Sequence, residues 1–484
     1  MIPYIALLIA SGAFLVLGYL ASRRVRVVSD FLPVSREQGT RVRSLRDFSA
    51  STVATTVSLA TIVAAYFNLV GHFGLWLLWT AFTGAAGMLL AALFAGRISD
   101  KLSQYRFRPS LHEFLACEYS LDALRRAAAT FTIIGILLLL ATEFIVGSSF
   151  LAQLIPGASR WVLTIGIAAV AVAYVMLGGF DTVIRTDRIQ MLIIWWMIPA
   201  IAAAVVIVHA GSVDSILARA TRDNTLRQLD AGLVWFLVGV ALMNIPTHLS
   251  SMILFQRVSG SANRDITQGG LKRSAVGVLF TWGLLVLVAW LATIVVTGAS
   301  GAEVFGNMLA RLGESTVGNA LAFLILMGLY CALLSTASAF LVAVGHTLAT
   351  DIRAKSARPL GLQRVRLTIL ASTVIACGLV IVLQQLEFQI EDMIFSIYGG
   401  ALSLFPPILI ALLRDRVKLA RLGPAALAAI VVGFIGGWGI ALYGKLAGIQ
   451  NLVFLSPTIG MVLSALVLGC GMTMEHLSAG ARSK

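Results

Sequence analysis

Residues 49–61 read Ser49-Ala50-Ser51-Thr52-Val53-Ala54-Thr55-Thr56-Val57-Ser58-Leu59-Ala60-Thr61, and seven of the thirteen carry hydroxyls. They open an apolar run that continues to residue 70. Hydroxyls next to the main chain offer backbone groups partners outside the helix ladder. β-branched side chains lose rotamers against the preceding turn. A continuous helix is therefore disfavoured here. Polar or irregular backbone at membrane depth is tolerated only where it lines a cavity or is packed in protein.

The rest of the chain shows why membrane depth is the setting. It has 484 residues, 59% hydrophobic and 12% charged, with a mean hydropathy of +0.92. A soluble domain carries about 25% charged residues, so a soluble enzyme, a disordered scaffold and a disulfide-stapled module are excluded. Barrel strands alternate apolar and polar over roughly ten residues. This chain instead stays apolar for about twenty at a time, enough to cross a bilayer as a helix. Thirteen apolar segments are expected, at about 3–22, 49–70, 74–96, 127–154, 161–178, 188–209, 233–256, 274–298, 317–345, 366–385, 390–413, 423–443 and 452–474. The fold class is all-α polytopic membrane protein.

The loops support the count. With the N-terminus outside and the C-terminus cytoplasmic, 30 of the 36 Lys and Arg fall in cytoplasmic loops and the tail, a strong positive-inside asymmetry. The net charge of +14 is then a cytoplasmic face turned to anionic lipid, not a nucleic-acid surface. The first apolar run precedes Arg23 and Arg24, the reverse of a signal peptide, and reads as a retained helix. Loop 210–232 has the look of a short amphipathic surface helix. Cys117, Cys331, Cys377 and Cys470 share no metal-ligand spacing and read as small packing residues. No Gly-rich phosphate loop followed by Lys is present, which argues against ATP-driven pumping.

Segment 7 answers segment 2. Asn244-Ile245-Pro246-Thr247-His248 lie near its middle, and Pro246 removes a backbone donor and frees a carbonyl one turn back. Two interrupted segments five apart point to an inverted-repeat secondary transporter. The expected organisation is a first helix and basic loop over 1–48, a five-helix repeat over 49–209, the outer loop 210–232, an inverted five-helix repeat over 233–413, and two peripheral helices with a tail over 414–484. Interhelical packing of hydroxyls and a simple proline kink is the alternative for each segment alone. In segment 9, Ala332, Ser335 and Thr336 share one helical face. Two hydroxyls, a carbonyl there and freed carbonyls of segment 2 suit a hard monovalent cation such as sodium without a full carboxylate; the alternative is that these hydroxyls bond back to their own helix. Asp187, with Gln190 three residues on, reads as a capping box opening segment 6 from an inner loop.

Further stretches carry a resemblance: Ser29-Asp30-Phe31-Leu32, Ser110-Leu111-His112-Glu113-Phe114-Leu115, Tyr174 to Gln190 with its Gly178-Gly179, Gln256-Arg257, Leu334-Ser335-Thr336 with Asp351-Ile352, and Phe405-Pro406-Pro407. In that order and with thirteen helices, the sequence resembles the sodium/solute symporter family, which has the LeuT-type inverted-repeat fold. The resemblance implies a sodium site made of carbonyls at Ala54, Val57 and Ala332 and hydroxyls of Ser335 and Thr336, with Asp187 near the cytoplasmic exit route of the ion. Some members carry Asp where this chain has Thr56. The sugar-carrying branch presents Glu and Gln where this chain has Ala60 and Thr61, and a gating Tyr at Thr247, which speaks against a sugar.

Pocket candidates are Thr56, Thr61, Asn244, Thr247, His248 and Ser251, with Glu143 in mid-segment 4 as the most isolated acid in the bilayer. His248 reads as a packing or gating residue. The expected function is sodium-coupled symport of a small organic solute (an amino acid, monocarboxylate or similar) into the cytoplasm by alternating access, with Na+ as the coupling ion. One charge crossing 100 mV supplies about 2.3 kcal/mol. The setting is a cell membrane of bacterial inner-membrane type, and a monomer suffices. A proton-coupled or uncoupled carrier, in which Glu143 or His248 matters more, and a sensor built on a transporter fold stay open. No metal cluster, nucleophile constellation or cofactor motif suggests an enzyme.

Overall fold

The computed structural model describes residues 2–23, 25–33, 42–105, 108–155, 157–208, 229–295, 301–313, 315–352, 361–385 and 390–482. Most of the 210–232 loop, with its expected surface helix, lies outside them. Apart from a single bridge between Val42 and Ser261, the described residues hold helices, turns and bends.

In chain order the helices are α1 (Ile2–Ser22), α2 (Val28–Phe31), α3 (Leu45–Ala54), a π-helical turn Ala60–Tyr66 running into α4 (Phe67–Phe73), α5 (Trp79–Ser103), α6 (Leu111–Glu118), α7 (Asp122–Leu154) and α8 (Arg160–Val208). Then follow α9 (Ala231–Ser250), α10 (Met252–Gly260), α11 (Arg264–Val295), α12 (Gly301–Leu312), α13 (Thr316–Thr350), α14 (Leu362–Gln385), α15 (Ile390–Ala401), α16 (Phe405–Leu413), α17 (Arg416–Ala420), α18 (Gly423–Leu446) and α19 (Gln450–Arg482).

Among the described residues, eleven helical runs are long and apolar enough to cross a membrane. Two of them are double. The run 60–103 turns at Gly74 (φ 57°) and the run 160–208 at Gly179 (φ 62°), so among the described residues the eleven runs hold about thirteen helical stretches. Large apolar side chains such as Leu8, Leu93, Trp196, Val374 and Ile435 face outward, as lipid-facing positions of a multi-pass membrane protein do.

The sequence expectation needs three corrections. First, no inner loop separates segments 5 and 6. The second half of α8 starts directly after Gly179, and Asp187 lies two turns inside it rather than at its cap. The reason is Gly179 itself: a Cβ there would stand 2.4 Å from the Phe31 carbonyl oxygen, so only glycine lets the chain turn against α2 at positive φ. Second, α9 runs helical through Pro246 to Ser250 and breaks at Ser251 (φ −79°, ψ 118°). Thr247 donates to the Met243 carbonyl at 2.5 Å and Ser250 to that of Pro246 at 3.2 Å, so side-chain hydroxyls bind carbonyls around the proline. Third, residues 301–312 between segments 8 and 9 form a helix, α12.

Candidate functional site

The break in segment 2 follows from its hydroxyls. Ser44 caps α3, accepting from the amides of Arg46 and Asp47. Toward the other end, Thr52 donates to Phe48 O (2.7 Å), Thr55 to Ser51 O (3.1 Å) and Thr56 to Val53 O (2.8 Å). Such back-bonding weakens and bends a helix, and α3 ends at Ala54. Helix resumes where Ser58 Oγ accepts from the Thr61 amide (2.9 Å), a local cap for the second half. In segment 7, Ser251 caps α10 in the same way by accepting from the Leu254 amide.

α13 crosses this break. Ser335 Oγ lies 3.1 Å from Ala54 O and 3.0 Å from Ala332 O. Ala54, Ala332 and Ser335 are fully buried. Next to Ser335 on α13, the buried Thr336 Oγ1 has no hydrogen-bond partner. The Val57 amide donates to Ala54 O at 3.2 Å, which holds Val57 in the same turn. Two main-chain oxygens and two hydroxyls, one of them buried and unpartnered, fit a desolvated sodium ion, which takes neutral oxygen donors.

Asp187 sits beside this group and not in it. It accepts from Ser51 Oγ at 2.5 Å, and Arg257 Nη2 approaches it at 3.4 Å, with Arg257 Nε donating to Ser51 Oγ at 2.9 Å. All three are buried. The triad ties α3, α8 and α10 together one turn before Ala54. Sequence reasoning does not single out Ser51 or Arg257, although one lies in the hydroxyl-rich stretch 49–61 and the other in Gln256-Arg257. A lone Ser or Arg carries no sign of its partner 136 or 206 residues away.

A cavity of about 270 Å³ opens against the break. Its wall contains Thr56, Thr61 and Glu143, together with Asn244, Thr247, His248 and Ser251, so the structure brings all seven pocket candidates together. Thr336 reaches it too, while Ala54, Val57, Ala332 and Ser335 stand behind the wall. Several of these groups already have partners. Asn244 Nδ2 donates to Thr83 Oγ1 at 3.0 Å, and Thr61 Oγ1 is 2.9 Å from Ser58 Oγ. His248 packs against Gly87, where a Cβ would come within 2.7 Å of its ring. Tyr66, Phe236, Trp282, Phe340 and Tyr398 complete an aromatic wall that sequence reasoning missed, because an aromatic residue in an apolar helix reads as packing.

No family model matches this chain, and no curated protein does. Solved structures do. A Na+-coupled sialic acid symporter, in a substrate-bound outward-open state with a novel Na+ site, superposes with a TM-score of 0.79 at 17% identity, covering 98% of each chain. The chain has the LeuT-type fold. Two further LeuT-type structures match less closely. Mhp1, a nucleobase-cation-symport-1 family transporter closed on bromovinylhydantoin, gives a TM-score of 0.56 at 13% identity over 92% of this chain and 95% of its own. MhsT in complex with L-phenylalanine gives 0.55 at 15% identity over 90% and 99%. At these identities the likeness is one of LeuT-type architecture.

Proposed function

We propose that this chain is a secondary transporter that couples sodium to the inward movement of a small organic solute by alternating access. The observation that carries the reading is the contact of Ser335 Oγ with Ala54 O across a broken helix, beside the unpartnered Thr336 hydroxyl. An ion bound there touches α3 and α13 at once. The same broken helix lines the cavity, so filling the ion site organises the substrate wall. The likeness in fold to a solved Na+-coupled symporter supports this reading. In it, the sodium ligands are Ala54, Val57, Ala332, Ser335 and Thr336, and the Ser51–Asp187–Arg257 group borders the path by which the ion leaves. The seven cavity residues form the substrate wall.

Sodium itself tests this. A ligand that binds only the folded state stabilises it by about 2.7 kcal/mol at a hundred times its Kd. Purified protein is expected to melt at a higher temperature in sodium than in potassium at equal ionic strength and pH, and to bind radiolabelled sodium. Ser335→Ala and Thr336→Val are expected to remove both effects. Equal melting in the two salts, with no sodium bound, ends the reading.

A further inference from the structure

The second half of the broken helix starts inside the protein, and its first amides have no carbonyl one turn back to bond. In a transporter such a helix start is a ready place for a substrate anion. In this chain it is taken. Glu143, from the middle of α7, brings its carboxyl group near the Ser58 hydroxyl and the backbone amides of Leu59 and Ala60. The protein's own carboxylate holds the position an anionic substrate would need.

Glu143 is 3% exposed and lines the cavity, and its Oε2 has no hydrogen-bond partner. The wall offers little positive charge. Arg257 is engaged by Asp187, Ser51 and the Ile253 carbonyl, and no Lys lies among the lining residues. Trp282 Nε1 is a further unpartnered donor there, but one neutral N–H does not offset a carboxylate repelled by Glu143. The wall therefore combines one buried carboxyl group, one of whose oxygens is unpartnered, with the aromatic side chains of Tyr66, Phe236, Trp282, Phe340 and Tyr398. Burying such an oxygen unpaired is costly, and aromatic faces attract cations.

We infer that the substrate is a small organic amine, whose ammonium N–H pairs with the Glu143 carboxyl group while its apolar body lies among Tyr66, Phe236, Trp282, Phe340 and Tyr398. The inference rests on this cavity being the substrate site of a transporter and narrows the solute class from any small organic molecule to one bearing a basic nitrogen. Simple carboxylates are excluded.

Matched probes decide it. Benzylamine, benzyl alcohol and benzoate, and likewise butylamine, butanol and butyrate, are titrated into the purified full chain. Melting temperature is followed in sodium and in potassium at one pH. An amine is expected to stabilise the protein where its alcohol and acid partners do not. Glu143→Gln is expected to weaken that binding at least roughly tenfold, the scale of one lost charge-assisted contact. An acid that stabilises as well as its amine, no amine that stabilises at all, or an amine affinity unchanged in Glu143→Gln overturns the inference. Should Glu143→Gln fail to fold, the comparison of amine with acid on the unaltered protein decides alone. Sodium-dependent binding of an acid sinks the amine class and leaves sodium coupling standing. Amine binding equal in sodium and potassium does the reverse.

Discussion

Asp187 and Arg257 show what single residues contribute in this molecule. Each is a charge withdrawn from water, and each has the other and Ser51 as compensation. Breaking one side of a buried pair strands the remaining charge and costs about 3–5 kcal/mol. Arg257→Met is therefore expected to lower the melting temperature strongly, and Asp187→Asn with Arg257→Gln together to recover part of the loss, both read by thermal melting in detergent. Ser335→Ala is expected to act differently. It removes one hydroxyl bonded at 3.0–3.1 Å to two carbonyls, costing on the order of 1 kcal/mol of stability in the absence of sodium, while abolishing the response to sodium.

The interrupted helices were legible as elements before they were legible as geometry. Seven hydroxyls in residues 49–61 marked the first break correctly. Pro246 marked the second five residues too early: α9 stays helical through the proline, with Thr247 and Ser250 donating to the Met243 and Pro246 carbonyls, and the chain parts only at the capping residue Ser251. Two variants separate proline from cap. Pro246→Ala is expected to leave the melting temperature almost unchanged, since α9 is already helical there. Ser251→Ala is expected to cost about 1 kcal/mol by removing the cap of α10. A glycine sets the third junction. Gly179→Ala places a Cβ against the Phe31 carbonyl at positive φ and is expected to cost at least about 1–3 kcal/mol, seen as a drop in melting temperature and in the yield of monodisperse protein.

For the molecule as a whole, packing depends on backbones that approach closely. Among the peripheral helices, a Cβ on Gly437 would come within 1.9 Å of the Gly399 carbonyl, and one on Gly460 within 2.1 Å of the same oxygen. Small residues at helix contacts are the usual device where no water drives association. α18 and α19 are thus seated directly on α15, whose Ile394, Phe395, Ile397, Tyr398 and Ala401 line the cavity. Gly437→Leu is expected to separate these helices and lower stability throughout, with size-exclusion profile and melting temperature as readouts, although Gly437 is not in the cavity wall.

Composition and charge asymmetry alone determined that this chain is a polytopic helical membrane protein of about thirteen spans, since apolar run length and the placement of Lys and Arg are local properties that a bilayer reads directly. Broken helices and a Ser-Thr face on α13 are local too. Tertiary structure alone decided that Ser335 meets Ala54 across 281 residues, that Asp187 finds Ser51 and Arg257, and that Glu143 lies at the start of a helix from another segment. Those pairings depend on how the helices cross, and an apolar sequence in lipid specifies crossings through backbone shape and small-residue contacts spread over the whole bundle, which no single stretch of it displays.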